Sequence, residues 1–274
     1  MSFFEAVVMA LLQGVTELFP ISSLGHAVIF PRLVGWGDLI HNKDFLPYLV
    51  VMHLGTAIAL FAYFWKDWMS FLRSVVKADT PRAIADRRIF LFVVLATIPA
   101  VIVGAALHKP LEAAFSKPWI VAFVLILNGA LLYFCDQIAG RGVGVLDQLN
   151  WKGALAIGVA QCFALVPGFS RSGLTIASGI VAGLKHEEAA RFSFLMATPI
   201  IIGATVHEAP KLLHTGATLG FAALVSGVTA GVVAYLSLVV LMRWFHGHEF
   251  NALKPFAYYC AIAGLASLAL MMVI

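Results

Sequence analysis

Long apolar runs separated by short polar segments make up most of the chain, and their lengths predict helices that cross a membrane. A helix needs roughly 20 apolar residues to span a bilayer. Runs near this length lie at 46–65, 89–107, 118–138, 190–206, 218–242 and 255–274. The fourth run is marginal in length, but the set predicts six transmembrane helices.

Two further apolar regions, at 3–35 and 152–184, are each interrupted midway by a polar stretch. The first polar stretch, 13–26, reads QGVTELFPISSLGH, and the second, 167–173, reads PGFSRSG. Each apolar half is too short to cross alone, so we predict two re-entrant helical hairpins. Non-helical backbone at membrane depth is tolerated only where it is buried in protein or lines a cavity.

Composition agrees with a membrane protein and argues against other classes. Of 274 residues, 61% are hydrophobic and 12% are charged, whereas soluble domains are about 25% charged. The three cysteines are odd in number and far apart, which argues against a disulfide or zinc framework. The net charge of +4 fits basic loops beside a membrane better than nucleic-acid binding. No glycine-rich phosphate-binding motif opens a predicted helix, so nucleotide binding is not expected. The N-terminal residues lack the pattern of a signal peptide, so cleavage there is not expected.

The distribution of basic residues predicts the orientation. The segment 66–88, interpreted as a loop after the first span, holds six of the 18 lysines and arginines: Lys66, Arg73, Lys77, Arg82, Arg87 and Arg88. Basic loops stay on the cytoplasmic side. Alternation from this loop places both termini outside, so the first hairpin enters from the outer face and the second from the cytoplasmic face.

The chain also reads as two copies of one unit, 1–140 and 150–274, within a single membrane domain. Gln13 to Gly25 and Gln161 to Gly173 have the same separation, with serines between. Each half holds one hairpin and three spans, an odd number, so the copies are inverted in the membrane. Broken helices in inverted repeats predict a site at the repeat interface. Chance similarity between membrane segments is the alternative.

The two polar stretches resemble the signature motifs of the bacterial undecaprenyl-diphosphate phosphatases of the bacitracin-resistance type. Those motifs read roughly (E/Q)-G-x-T-E-x-x-P-(I/V)-S-S-x-G-H and P-G-x-S-R-S-G-x-T, and the second is matched throughout, to Thr175. Two positions depart from many relatives: Gln13 stands where they have Glu, and Leu24 where they have Thr. Glutamine adds no negative charge, so Glu17 is the one motif carboxylate left.

This resemblance implies a phosphatase that removes the terminal phosphate of undecaprenyl diphosphate and so recycles the carrier lipid for cell-wall synthesis. It implies a divalent cation, Mg²⁺ or Ca²⁺, and a multi-pass protein of the bacterial cytoplasmic (inner) membrane whose site opens to the periplasmic or outer face. The expected partners are the lipid substrate and the bilayer, with no nucleic acid; a homo-oligomer is left open.

The first stretch supplies candidate catalytic groups. Glu17 is expected to ligate the metal or act as a general base, or alternatively to form a structural ion pair with Arg171. Ser22 and Ser23 begin a half-helix, where one is expected to cap the helix and the other to face the phosphate. By resemblance Ser23 is the nucleophile; direct attack by water is the alternative. His26, one turn further on, is a candidate base or acid.

The second stretch is expected to bind phosphate. The guanidinium of Arg171 is expected to pair bidentately with phosphate oxygens, because it is planar and stays charged whatever its burial. A helix beginning near Ser172 is expected to add a positive dipole end. A structural arginine at the repeat interface is the alternative. The other expected substrate-binding residues allow close backbone approach or offer polar groups: Gln13, Ser22, Gly168, Ser170, Ser172, Gly173 and Thr175. His53, within the first span, is predicted either to line the cavity or to pack.

A flippase or transporter of a phosphorylated lipid or anion is the alternative function, because inverted repeats with broken helices are a transporter architecture. A carrier needs Arg171 and helix N-termini to hold phosphate, but it has no use for a base beside a hydroxyl. Glu17, Ser23 and His26 therefore favour the enzyme.

Overall fold

The computed structural model describes residues 1–39, 45–77, 79–107, 117–138, 142–214, 220–248 and 250–273. Within these ranges the regular elements are helices. The predicted end of the last span at 274 and the predicted end of the first repeat at 140 lie outside the described residues.

Eleven α-helices follow one another along the described chain. They are α1 (Phe3–Thr16), α2 (Ser23–Leu33), α3 (Phe45–Tyr63), α4 (Trp65–Val76), α5 (Pro81–Ala106), α6 (Pro118–Ile138), α7 (Trp151–Cys162), α8 (Arg171–Val181), α9 (His186–His214), α10 (Phe221–Gly247) and α11 (Lys254–Met271). Short 3₁₀ turns lie at Gly37–Leu39, Leu146–Gln148 and Phe163–Leu165.

Six of these helices, α3, α5, α6, α9, α10 and α11, are long and apolar enough to cross a membrane, which confirms the predicted number of spans. Large apolar side chains along them face outward: Ile58, Ile102 and Ile262 are each more than half exposed. Apolar surface of this kind is stable in contact with lipid rather than water. The protein is therefore a multi-pass membrane protein.

The interpretation of 66–88 as a loop was wrong. Most of it is the separate helix α4 and the beginning of α5. The hydroxyl of Thr80 accepts a hydrogen bond from the backbone amide of Ala83, and Pro81 occupies the first turn of α5, both favourable at a helix start. Along α4, Phe71 is buried while the basic residues point away. A cluster of basic residues indicates contact with solvent, but an amphipathic helix provides such contact on one face just as a loop does.

Both polar stretches break helices. α1 ends at Thr16 and α2 begins at Ser23, whereas α7 ends at Cys162 and, after a 3₁₀ turn, α8 begins at Arg171. We call 17–23 the first break and 166–172 the second break, so that each includes the first residues of the helix that follows it. The two members of each pair, α1 with α2 and α7 with α8, pack on each other.

The spanning helices pack in pairs around the broken ones. α6 lies along α11 and α3 lies along α10; α1 packs on α10, and α7 packs on α5. At the α3–α10 crossing the backbones touch, because a Cβ atom at Gly55 would overlap the carbonyl oxygen of Gly227 and lie 3.1 Å from the backbone nitrogen of Gly231. Close approach of this kind is how helices pack in lipid, where hydrophobic attraction between them is absent.

We expect Gly55→Ala to destabilise the protein, because the added methyl group must separate α3 from α10. Overpacking typically costs about 1–3 kcal/mol, so the thermal midpoint of helix loss, followed by circular dichroism in detergent, should fall. The matched control is Gly203→Ala in α9, where an added Cβ meets no atom within 4 Å. Equal midpoints for the two variants would contradict the tight crossing.

Candidate active site

The two helix breaks, distant in the chain, are in direct contact. The Nη2 atom of Arg171 donates a hydrogen bond to Oε1 of Glu17 at 2.9 Å. The Ser172 hydroxyl donates to the carbonyl oxygen of Phe19 at 3.2 Å. The structure therefore brings together the carboxylate and the guanidinium that the two polar stretches supply.

Glu17 is the centre of this cluster. Its second oxygen, Oε2, accepts hydrogen bonds from Nε2 of Gln13 at 3.1 Å and from the Ser23 hydroxyl at 2.5 Å. The Nε2 atom of His53 lies 3.6 Å from the same oxygen. Only 7% of the Glu17 side chain is exposed, and a buried carboxylate is tolerated only with such partners.

Local sequence explains why these groups converge. Gln13 and Glu17 are four residues apart at the end of α1, so they share one face of the helix. Pro20 prevents α1 from continuing because it has no backbone amide to donate. The chain then turns, and Ser23 opens α2 facing back toward the carboxylate.

The tandem serines divide their roles. Ser22 is the N-cap of α2: its hydroxyl accepts a hydrogen bond from the backbone amide of Gly25 at 3.1 Å. Ser22 has a φ of 71°, a left-handed conformation that is strained for a residue with a side chain. The Ser23 hydroxyl takes no part in the cap and donates to Glu17. Ser23 is thus the hydroxyl held against a potential proton acceptor.

His26 is engaged away from Ser23. Its Nδ1 lies 2.7 Å from the carbonyl oxygen of Ser22, and its Nε2 lies 2.8 Å from the hydroxyl of Tyr259 on α11. A carbonyl can only accept, so Nδ1 carries a proton, and in the neutral imidazole Nε2 accepts from the tyrosine hydroxyl. The structure pairs the Ser23 hydroxyl with Glu17, and it does not place His26 as the partner of that hydroxyl.

Arg171 is only partly satisfied. Its Nη1 atom is buried and has no hydrogen-bond partner in the part of the chain that the structure describes. The residue is also the first of α8, where free backbone amides and the helix dipole favour an anion. Because Nη2 is bonded to Glu17 while Nη1 is unpaired among the described residues, the guanidinium can donate a hydrogen bond from Nη1 to a phosphate oxygen.

Other predicted binding residues of the second stretch hold the break itself. The Ser170 hydroxyl caps α8 by accepting from the backbone amide of Gly173 at 3.1 Å, and it lies 3.1 Å from the Ser172 hydroxyl. The hydroxyl of Thr175 donates to the carbonyl oxygen of Arg171 at 2.7 Å. Gly168 has a φ of +106°, and a Cβ there would lie 2.6 Å from the Val121 carbonyl oxygen. These contacts shape the site.

Three neighbouring residues were missed or left open by the sequence. Tyr259 gave no signal, because a tyrosine near the start of a span reads as an interfacial anchor. Asn128 could have been selected from the sequence, because it is a polar amide within an apolar run and polar groups at membrane depth usually have a functional role. His53 was predicted to line the cavity or to pack, and it lies beside Glu17.

The donor set allows a divalent cation only in company with other ligands. Within the described ranges, no three His, Cys, Asp or Glu side chains are grouped to hold a metal. Glu17 supplies one carboxylate, and Gln13, whose Nε2 atom faces that carboxylate, offers its side-chain amide oxygen as an additional hard ligand. Magnesium is often held by one or two carboxylates together with substrate phosphates and water. The residues therefore fit a cation shared with a diphosphate.

Comparison with known proteins gives full-length matches. The family model described as bacitracin resistance protein BacA matches residues 6–266. An undecaprenyl-diphosphatase of Granulibacter bethesdensis is 47% identical over 98% of this chain and 97% of its own length. One of Acidiphilium cryptum is 49% identical over 97% and 96%. Undecaprenyl-diphosphatase 2 of Oenococcus oeni is 43% identical over 98% of both chains.

We expect the site to bind a small diphosphate through Arg171. Titration of methylenediphosphonate, which cannot be hydrolysed at its P–C–P link, into the purified protein should show binding in calorimetry. Arg171→Ala should weaken it roughly tenfold or more, because a hydrogen bond to a charged group contributes about 1.5–3 kcal/mol.

Arg191→Ala is the matched control, because Arg191 is also paired with carboxylates, Asp67 and Glu188. It should bind methylenediphosphonate as the wild type does. Equal binding by Arg171→Ala would show that the anion site lies elsewhere.

Proposed function

The chain belongs to the bacitracin resistance protein BacA family, and from that premise we propose that it is an undecaprenyl-diphosphatase, a membrane enzyme that removes the terminal phosphate of undecaprenyl diphosphate. The observation that carries this proposal is the Glu17 carboxylate, which joins the Ser23 hydroxyl from one helix break to the Arg171 guanidinium from the other. The product, undecaprenyl phosphate, returns to use as the carrier lipid of cell-wall synthesis.

Substrate binding is proposed to begin at Arg171. The unpaired Nη1 atom takes an oxygen of the terminal phosphate, and the backbone amides at the start of α8 face the same anion. As the guanidinium turns its charge toward phosphate, it neutralises Glu17 less completely. Glu17 is then left to accept a proton from the hydroxyl already hydrogen-bonded to it.

The proposed chemical step starts from that hydroxyl. Ser23 Oγ forms a bond to the terminal phosphorus while the anhydride P–O bond breaks, and undecaprenyl phosphate leaves with the bonding electron pair. The Ser23 proton passes to Oε2 of Glu17. Glu17 passes that proton on to the departing undecaprenyl phosphate. Water then attacks the phosphoserine and gives a proton to Glu17, the bond between phosphorus and Ser23 Oγ breaks, Ser23 Oγ takes the proton from Glu17, and orthophosphate is released.

Direct attack by water is the second route. Here Glu17 takes a proton from water, and Ser23 only orients the carboxylate.

His26 is proposed as a proton donor or acceptor toward the phosphate. For this role its Nε2 atom must give up the hydrogen bond with the Tyr259 hydroxyl and contact the substrate instead.

We propose that the reaction uses a divalent cation, Mg²⁺ or Ca²⁺, which the Glu17 carboxylate and the side-chain amide oxygen of Gln13 would hold together with the diphosphate. Such an ion would neutralise the negative charge of the diphosphate and polarise its phosphoryl oxygens. Because Gln13 adds no charge, we expect little affinity for the cation before substrate arrives.

The broken helices are proposed to be re-entrant hairpins related by an inverted repeat. α1 has 14 residues and α7 has 12; at about 1.5 Å per residue, neither reaches the roughly 30 Å of a bilayer core. The packing supports the repeat, because exchanging the halves turns the α1–α10 contact into α7–α5 and the α6–α8 contact into α11–α2. The basic segment 66–88 supports a cytoplasmic position for that segment. Membership of the family supports the further proposal of an inner-membrane protein whose site opens to the periplasmic face.

Orthophosphate release from undecaprenyl diphosphate, or a shorter isoprenyl diphosphate, by the purified protein tests this function. We expect release to stop on chelation of divalent cations and to return when they are added back. Glu17→Ala and Arg171→Ala should each lower kcat about a hundredfold or more, as loss of a preorganised charge typically does.

Glu5→Ala, which removes a half-buried capping carboxylate at the start of α1, the helix that Glu17 caps at its other end, should leave release unchanged. Wild-type protein that binds the lipid diphosphate but never releases orthophosphate would favour the carrier instead.

The nucleophile is tested by comparing the two serines. Ser23→Ala should abolish release, whereas Ser22→Ala loses a helix cap, at a cost of about 1 kcal/mol, and should retain turnover. Acid quenching of the wild type during turnover should trap phosphate on a peptide containing Ser23, detected by mass spectrometry. Release that persists in Ser23→Ala, with no trapped phosphopeptide, would assign the reaction to direct attack by water.

A further inference from the structure

We propose that Asn128, in the middle of α6, is a positioning residue that fixes the two helix breaks relative to each other and so sets the spacing of the catalytic groups. This inference rests on the proposed function, because its test measures phosphate release. Asn128 itself contacts backbone atoms of both breaks, and it acts on the reaction only through them.

Three hydrogen bonds carry the proposal. The Nδ2 atom of Asn128 donates to the carbonyl oxygen of Pro20 at 3.2 Å and to the Cys260 sulfur at 3.3 Å. Its Oδ1 accepts from the backbone amide of Ser170 at 3.0 Å. The residue is fully buried. One side chain therefore holds the first break, the second break and α11 together.

The atoms held are close in sequence to the reacting groups. Pro20 lies three residues from Glu17 and three residues from Ser23, and Ser170 directly precedes Arg171. α6 is one continuous helix through this point, so it provides a rigid reference for two segments that lack regular hydrogen bonds. A displacement of either break relative to α6 changes the distances among the carboxylate, the hydroxyl and the guanidinium.

The amide is the chemical group that this place requires. It must donate to a carbonyl and accept from an amide at once, which Asn does and an ionised Asp or a Leu does not. Few other hydrogen bonds hold the two breaks together once phosphate is bound. The Arg171–Glu17 pair has to loosen when phosphate binds, which leaves the Ser172–Phe19 bond and the Asn128 bridge to keep the breaks in register.

The test compares Asn128→Leu and Asn128→Asp with the wild type in the orthophosphate-release assay. Near neutral pH both variants should lose about tenfold or more in kcat, because small displacements of catalytic groups cost about this much or more. The control is Leu125→Ala, one turn away on α6 and fully buried. It removes packing but no hydrogen bond, so it should lower the thermal midpoint with little change in kcat.

The pH profile separates positioning from general weakening. Protonated Asp regains one donor and one acceptor, so the kcat of Asn128→Asp relative to wild type should rise as pH is lowered, while that of Asn128→Leu should not. Position 128 faces the Cys260 thiol from α11, the Pro20 carbonyl from one break and the Ser170 amide from the other. The Asp profile remains readable even where the Leu variant does not fold.

Two results would overturn the inference: wild-type kcat in a folded Asn128→Leu variant, or a ratio of Asn128→Asp kcat to wild-type kcat that does not rise as the pH is lowered. Either result leaves the proposed function intact if the wild type releases phosphate. A wild type that releases none removes the function itself, which is a separate outcome.

Discussion

The buried ion pair between Glu17 and Arg171 is the interaction on which the site depends. An unpaired charge at membrane depth costs several kcal/mol, and removing one member of a buried pair leaves that penalty on the other. Neither residue is stable here alone, yet they lie in different halves of the chain. The fold must therefore bring two helix breaks into contact. The Ser172–Phe19 bond, the close approach of Gly25 to Gly168 and the Asn128 bridge all act to that end.

In the mechanism proposed above, the same pair couples binding to reaction. A phosphate that approaches Arg171 competes with Glu17 Oε1 for the guanidinium, and the Ser23 hydroxyl is already hydrogen-bonded to Oε2, the other oxygen of the same carboxylate. Before substrate arrives, the carboxylate is neutralised by the guanidinium and is a poor proton acceptor for Ser23. This arrangement keeps the hydroxyl inactive without phosphate, and it requires no large movement of the helices.

Much of this could be predicted from the sequence, and the rest depends on packing. The six spans follow from run length alone, and the ion pair follows from the cost of burying Glu17 and Arg171 separately. The segment 66–88 was misread because basic residues occur on amphipathic helices as well as in loops. The bond between His26 and Tyr259 depends on how α2 is rotated against α11, which no local pattern in either helix specifies. Asn128 was visible as an amide in an apolar run, but its partners were not.

The two breaks also explain how one local structure serves two purposes. In the aligned stretches 13–25 and 161–173, Ser22 and Ser170 hold the same place, and each caps a helix through the amide three residues on. The next residue is Ser23 in one stretch and Arg171 in the other, each the first residue of its helix. The hydroxyl and the guanidinium thus project from equivalent helix N-termini, whose dipoles both favour an anion. The proposed inverted repeat would bring these two N-termini together as a phosphate site, and the single Glu17 carboxylate between them would then make that site reactive.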